Sequence, residues 1–408
     1  MTRGATLEQV RRQLAPSRNM TGDLMLDEYQ RFAVKLNRTG LKDGAALDFL
    51  MMGLFGETGS LLSEVKKKQR DKRAYFSYRQ SSIEELGDVL WYFANVARLV
   101  PIRLSDIAGR ATEVGGWGFR GTRHRPRTFA ALQEAGREFG EPVGGRQVER
   151  RLVVLASRVG ALLDLGRRAR PDRETIMHTM VEVFRALVAA ADIAHINLHD
   201  AAVASLAKSL DRFPPVRTWG GPFDEDFDVD EQLPRRMEIM FREKLTPAGV
   251  PYVIQQWKGI NIGDRLTDNA QIPDDYRYHD VFHLSYVAYL GWSPVIRALL
   301  RLKRRSEPKV DEQEDGARAI ITEEGISNWI FAHGLRHDAF EGVTRLDYGL
   351  LKTIRQMVKG YEVESRPLWI WEEAIIRGFE VFRELRKNKS GIVVVDMTRH
   401  LLAYRPIK

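Results

Sequence analysis

The sequence predicts a mainly α protein: a helical bundle with a degenerate second repeat, then a mostly helical C-terminal domain with a small β element. Three observations predict it. Apolar residues recur at helical spacing through the first ~110 residues. The pattern returns weakly about 94 residues later. Beyond residue 234 the texture changes, with a turn signal at Pro247-Ala248-Gly249 and a β-branched run at Ile392–Asp396.

The first helix is expected over 24–39, capped by Asp23, with Met25, Tyr29, Phe32, Ala33 and Leu36 on one face. The second spans 44–69, with Leu47, Leu50, Met51, Leu54, Leu61 and Val65 inward. The third covers 82–99, capped by Ser81 or Ser82 and stopped by Pro101. A fourth, shorter helix begins at Leu104. Residues 115–127 (GGWGFRGTRHRPR) read as a linker or basic loop. LASRVGALLDLG (155–166) then echoes LFGETGSLLSEV (54–65), and a shift of 94 puts Asp106 on Asp200, Asp88 on Glu182 and Glu85 on Thr179. In the other helix, where 54–65 is echoed at 155–166, Glu57 falls on Arg158. The second copy has thus lost the acidic cluster and is expected to serve packing, as half of a pseudo-symmetric bundle.

The expected organisation is an N-terminal domain over 1–125, a degenerate repeat over 126–215, a Gly-, Asp- and Pro-rich linker over 216–234, and a C-terminal domain over 235–408. In the last, Met237–Leu245 and Val250–Ile260 form a hairpin. Tyr278–Leu302, Ala317–Leu335, Leu346–Lys359 and Pro367–Lys387 are helices, and Ile392–Asp396 pairs with Leu401–Arg405.

The 408 residues carry a net charge of +8 and no cysteine. Disulfides and thiolate metal sites are excluded, and a cytoplasmic setting is expected. No apolar run approaches the ~20 residues of a membrane span, and there is no secretory h-region. The basic surface favours anionic ligands, nucleotides among them. Aromatic and basic residues are not interleaved as a single-strand groove needs, so nucleic acid and membrane are not expected partners.

Two acidic stripes stand out. Glu57, Ser60 and Glu64 follow one line of the second helix, and Glu85, Asp88, Tyr92 and Asn95 one line of the third, with Glu84 beside them. Gly56, Gly59 and Gly87 adjoin the acids, which suggests close helix approach or room for a ligand. Converging carboxylates repel one another and lose hydration, and a divalent cation resolves both costs. Mg2+ suits a few carboxylates plus substrate phosphates, and Mn2+ could replace it. The alternative is an ordinary solvated helix face.

GLFGETGSLLSEVKK (53–67) followed by IEELGDVLWYFANVA (83–97) resembles the MazG-like all-α nucleoside triphosphate pyrophosphohydrolases, whose hallmark is a Glu-x-x-Glu pair, a spacer and a Glu-x-x-Asp pair. The resemblance implies Mg2+-dependent hydrolysis of an NTP to NMP and pyrophosphate. It makes Glu57, Glu64, Glu85 and Asp88 the metal ligands, with Glu84 or Glu57 helping to activate water. The second glutamate of the first pair is Ser60 here, a departure that weakens metal affinity. Candidate substrate contacts are Lys67 and Lys68 at the end of the second helix, Tyr92 and Asn95. Lys208 and Arg212, in SLAKSLDRFP (205–214), resemble a phosphate-contacting tail and could serve only if the two repeats share a site. A homo-oligomer or an intrachain pseudo-dimer is expected.

HDVFH (279–283) places His279 and His283 at i, i+4, a spacing that chelates a transition metal, with Asp280 between them and Glu323 and Glu324 downstream. A satisfied polar network reads equally from these residues. Residues 259–284, with 314–325, resemble the extension of some longer MazG-like proteins. Three rival functions therefore stand beside the pyrophosphohydrolase: a catalytically weak nucleotide sensor coupled to the C-terminal domain, a metallohydrolase built on the His279/His283 cluster, and a nucleic-acid binder.

Overall fold

The computed structural model describes residues 6–15, 22–113, 125–137, 146–166 and 172–407. It is mainly helical with a small five-stranded antiparallel sheet, in two compact units, Met1–Arg217 and Thr218–Lys408.

The N-terminal unit contains α1 (Leu7–Leu14), α2 (Leu26–Leu36), α3 (Asp43–Asp71), α4 (Tyr78–Leu99), α5 (Leu104–Ala111), α6 (Phe129–Arg137), α7 (Arg146–Gly166), α8 (Arg173–Ile193) and α9 (Leu198–Arg212). The expected four-helix pattern corresponds to α2–α5. α4 begins a turn earlier than expected, at Ser77 rather than Ser81. α2 starts after Met25 rather than Asp23, because the Glu28 carboxylate, ion-paired to Arg11, accepts the Met25 N–H. The basic loop 115–127 lies outside the described residues except for 125–127.

The two halves of this unit repeat a hydrogen-bond device. Gln30 of α2 donates to the Ile102 carbonyl and accepts from the Leu104 N–H, at 2.9 and 3.2 Å. Gln133 of α6 donates to the Ile196 carbonyl and accepts from the Leu198 N–H, at 2.8 and 2.9 Å. Each glutamine satisfies groups at the entry to a later helix, α5 for Gln30 and α9 for Gln133, where no intrahelical partner exists. Met25 and Thr128, one residue before α2 and α6 respectively, form an antiparallel bridge with each other. The last helices are exchanged: α9 packs on α4, and α5 on α8. Phe93 of α4 stacks on Phe184 of α8, ring centroids 5.2 Å apart, within one continuous core.

α3 has a stretch long and apolar enough by composition to cross a membrane, with a third of that window buried in this bundle. Asp48 and Glu57 interrupt the apolar run within it. α3 also leaves Phe49, Met52 and Phe55 exposed.

In the C-terminal unit, β1 (Arg236–Leu245), β2 (Pro251–Trp257) and β3 (Ile260–Leu266) precede α10 (Asp280–Leu290), α11 (Pro294–Leu300), α12 (Pro308–Gln313), α13 (Ala317–Leu335), α14 (Tyr348–Met357) and α15 (Leu368–Asn388). β4 (Ser390–Asp396) and β5 (Leu401–Arg405) close the chain. The sheet order is β3-β2-β1-β4-β5, all antiparallel. α10 is buried on every side and packs on α15; both lie against β4 and β5.

Two expectations are corrected here. The helix expected over 278–302 is broken at Gly291, which caps α10 in the left-handed region (φ +67°), and restarts with Ser293 capping and Pro294 opening α11. The stretch expected as a 216–234 linker is instead packed into this unit from Thr218. Asp224 is fully buried and accepts from the Leu233 N–H, Arg235 and Arg297, so an acidic run reads as linker while its first acid anchors a fold.

Candidate functional site

α3 and α4 pack side by side, and one carboxylate oxygen each of Glu57, Glu85 and Asp88 comes within 4.8 Å of the others. Their burial and crowding have an electrostatic result. Burial, then the neighbouring charges of Glu57 and Asp88, push Glu85 up to about 7. Burial pushes Asp88 up to about 6 even though Lys208 pulls it down. A carboxylate that holds its proton at such pH occupies ground where a cation would stand. The donors are all oxygens, half-buried, and suit a hard divalent cation.

Lys208 comes from the other half of the unit. Its Nζ lies 2.5 Å from Asp88 Oδ2 and 3.1 Å from Glu84 Oε1. The exchange of α9 onto α4 makes this possible, and Gly87 permits it. A Cβ built at Gly87 would stand 2.6 Å from the Ala201 carbonyl oxygen of α9. Gly87 therefore serves close helix approach, whereas Gly56 and Gly59 face open space.

The other sequence-predicted residues are distributed as follows. Glu64 is buried and lies outside the trio; it takes Lys67 Nζ at 2.7 Å and the Tyr75 hydroxyl. Lys68 donates to the Lys72 and Tyr75 carbonyls and so finishes α3. Asn95 is buried, donating to the Trp91 carbonyl and accepting from Asn37, a tie between α4 and the end of α2. Tyr92 lies over Gly53 and feels the charges of Glu57 and Asp88, so it walls the trio. Arg212 lies over the Phe213 ring, its guanidinium carbon 4.8 Å from the centroid. Ser60 is half-buried.

The corresponding ground between α7 and α8 carries opposite chemistry. Arg158 and Arg185 lie 3.7 and 3.0 Å from the Glu182 carboxylate. Arg185 also donates to the Ala111 and Arg110 carbonyls at the end of α5.

In the C-terminal unit His279, His283 and Glu324 bring ligand atoms within 4.8 Å of one another. His283 is fully buried. Its Nδ1 lies 2.8 Å from Glu323 Oε1, while the same carboxylate accepts from Ser293 Oγ and the Val295 N–H. His279 Nδ1 faces the Tyr276 carbonyl at 2.9 Å, and its ring stacks flat on Tyr276, centroids 4.0 Å apart. Asp280 lies 3.1 Å from His279 Nε2 and accepts from Gln255. Burial holds His279 below the usual histidine range despite Asp280. Burial also opposes charge on His283, but Glu323 and Glu324 outweigh it and raise its pKa. Glu323 is thus a holder of His283 rather than a member of the convergent set. Sequence reading missed Tyr276, Ser293 and Gln255; Tyr276 had a signal, three residues before His279. His333 and His337 pair with each other and not with this cluster.

Residues 220–408 match the family model described as the MazG C-terminal domain. The match supports a MazG-family relationship. It covers the histidine cluster of the MazG-like C-terminal unit and stops short of the carboxylate trio. A 66-residue stretch is 39% identical to the Gene 37 protein of Mycobacterium phage L5, covering 16% of this chain and 58% of that protein. The chain thus spans a little over half the length of that relative. No solved structure matches.

Proposed function

We propose that the N-terminal unit is a Mg2+-dependent nucleoside triphosphate pyrophosphohydrolase, converting (d)NTP and water to (d)NMP and pyrophosphate. The observation that carries this reading is the convergence of Glu57, Glu85 and Asp88, where burial and then the neighbouring carboxylates push Glu85 up to about 7. The MazG relationship of the C-terminal unit supports it. The three carboxylates would hold the ion, and Mn2+ would also fit them. A bound ion would neutralise phosphate charge and acidify a water. Lys208, which faces Asp88 and Glu84, would turn its ammonium to a phosphate oxygen, a charge-assisted contact. Glu57 and Glu84 are the candidate acceptors for the water's proton. The half-buried Tyr92 ring would limit water access on one side.

The deciding experiment incubates the full chain with each NTP and dNTP plus Mg2+ and measures pyrophosphate and NMP, beside Asp88→Ala. Product with wild type and none with the variant supports the reading. Nucleotide binding by calorimetry without turnover favours a sensor, the reading that Ser60 in place of the family glutamate motivates. The exposed Phe49, Met52 and Phe55 of α3 are where a second copy would pack. Light scattering after chromatography measures the assembly.

A further inference from the structure

We propose that His279, His283 and Glu324 of the C-terminal unit bind one divalent transition-metal ion, independently of the carboxylate trio. Four observations converge. First, the three ligand atoms already lie within 4.8 Å of one another, a spacing that small side-chain rotations bring to bonds of ~2.0–2.2 Å. Second, His283 Nε2 is fully buried, makes no hydrogen bond, and lies 3.5 Å from Glu324 Oε2. A buried ring nitrogen whose nearest acceptor, the Glu324 carboxylate, stands outside hydrogen-bond geometry is poorly satisfied, and an ion between the two would serve both. Third, both histidines are oriented from behind. His283 Nδ1 meets Glu323, itself pinned by Ser293 and the Val295 N–H, and His279 Nδ1 meets the Tyr276 carbonyl. These acceptors fix the tautomer that presents each Nε2 to the common point, as outer acceptors do at metal-bound histidines. Fourth, the donors are two imidazoles and a carboxylate, which select a transition metal over Mg2+.

The Glu324 side chain is 41% exposed, so one side of the centre reaches solvent while the histidines are enclosed. That is the layout of an open site with a position for water, rather than a closed structural one. Tyr276, stacked on His279, also lines an open cleft of ≈ 430 Å³ with Asn269, Asp274, Asn328 and Arg336. Glu324 and Asn328 follow one another at i, i+4 on α13, so the line of α13 runs from the centre into that cleft.

The test uses the full chain stripped with a chelator and titrated with Co2+, read by visible absorption and by metal content after gel filtration. With no cysteine in the chain, any visible band arises from nitrogen and oxygen donors. The expected result is one tightly held Co2+ in wild type and in Asp88→Asn, with His279→Ala and Glu324→Gln binding ~10–100-fold more weakly. Glu324→Gln changes a half-exposed side chain without altering its size, so an unchanged circular dichroism spectrum separates lost binding from lost fold. The proposal is overturned if wild type holds no Co2+, if the band survives unchanged in both Glu324→Gln and His279→Ala, or if Asp88→Asn abolishes it. None of these outcomes bears on nucleotide turnover, so this proposal and the pyrophosphohydrolase reading can fail separately.

Discussion

The two helix pairs of the N-terminal unit make an instructive comparison. α3 with α4 crowds Glu57, Glu85 and Asp88, three acids answered by one lysine from α9. α7 with α8 sets one acid, Glu182, between two arginines. The frame is the same, since Gln30 and Gln133 make the same bonds on either side. A bundle tolerates either charge arrangement because the site residues lie beside the apolar stripes and not within them. One arrangement gathers three acids and the other sets one acid between two arginines, so the difference in chemistry follows from a few polar positions.

The largest expected effect comes from removing the acids. Asp88→Ala or Glu85→Ala should lower pyrophosphate release by about 10²-fold or more, measured by coupled phosphate detection. Activity that survives in both, but is lost in Glu324→Gln, would move the chemistry to the C-terminal unit. Lys208→Met should lower kcat/KM by roughly 10–100-fold, the worth of one charge-assisted hydrogen bond. Because Lys208 pulls the Asp88 pKa down, its removal should shift the acid limb of the pH–rate profile upward. Unchanged kinetics would show that α9 only packs. Gly87→Ala should cost ~1–3 kcal/mol of stability, since the added methyl meets the Ala201 carbonyl and separates α4 from α9; thermal unfolding reads it.

The trio also predicts a pH dependence. Glu85 and Asp88 have higher pKa values folded than unfolded, so their contribution to stability is complete below about pH 4 and is lost as pH rises through about 6 and 7. Without divalent ions, Tm should fall over that window. Saturating Mg2+ should restore it, more at pH 8 than at pH 5, by roughly 2–4 °C per ~1 kcal/mol of binding. An equal Mg2+ effect at both values would mean that the ion does not displace these protons. The smallest effect belongs to the other pair. Arg158→Ala breaks a half-exposed contact and should change stability by about 1 kcal/mol or less, with turnover unchanged.

The acidic stripes and the i, i+4 histidines were legible because helical periodicity alone assigns them to faces. The helices α2–α5 were legible for the same reason. The partners that engage each group were not, because they come from distant segments. Tyr75 reaches Glu64, Asn37 reaches Asn95, and Ser293 and the Val295 N–H reach Glu323. Lys208 was a candidate only on condition that the repeats share a site, and the exchange of α9 brings its ammonium beside Asp88. Residues 219–234 misled because an acidic, Gly-rich composition describes a linker equally well as a segment whose one buried acid, Asp224, is held by two arginines. α3 had a stable helical signal, yet its exposed apolar face depends on which neighbours the fold supplies.

The exchanged helix also sets an order of events during synthesis. Asp88 and Lys208 are separated by 120 positions, which a ribosome covers in roughly 6–24 s at ~5–20 residues/s. During that interval the nascent chain carries its three acids without their lysine, and the bare side of α4 at Gly87 waits for α9. The carboxylate cluster therefore gains its lysine late, from the far repeat, and a truncation that spares every acid would still leave it without Lys208.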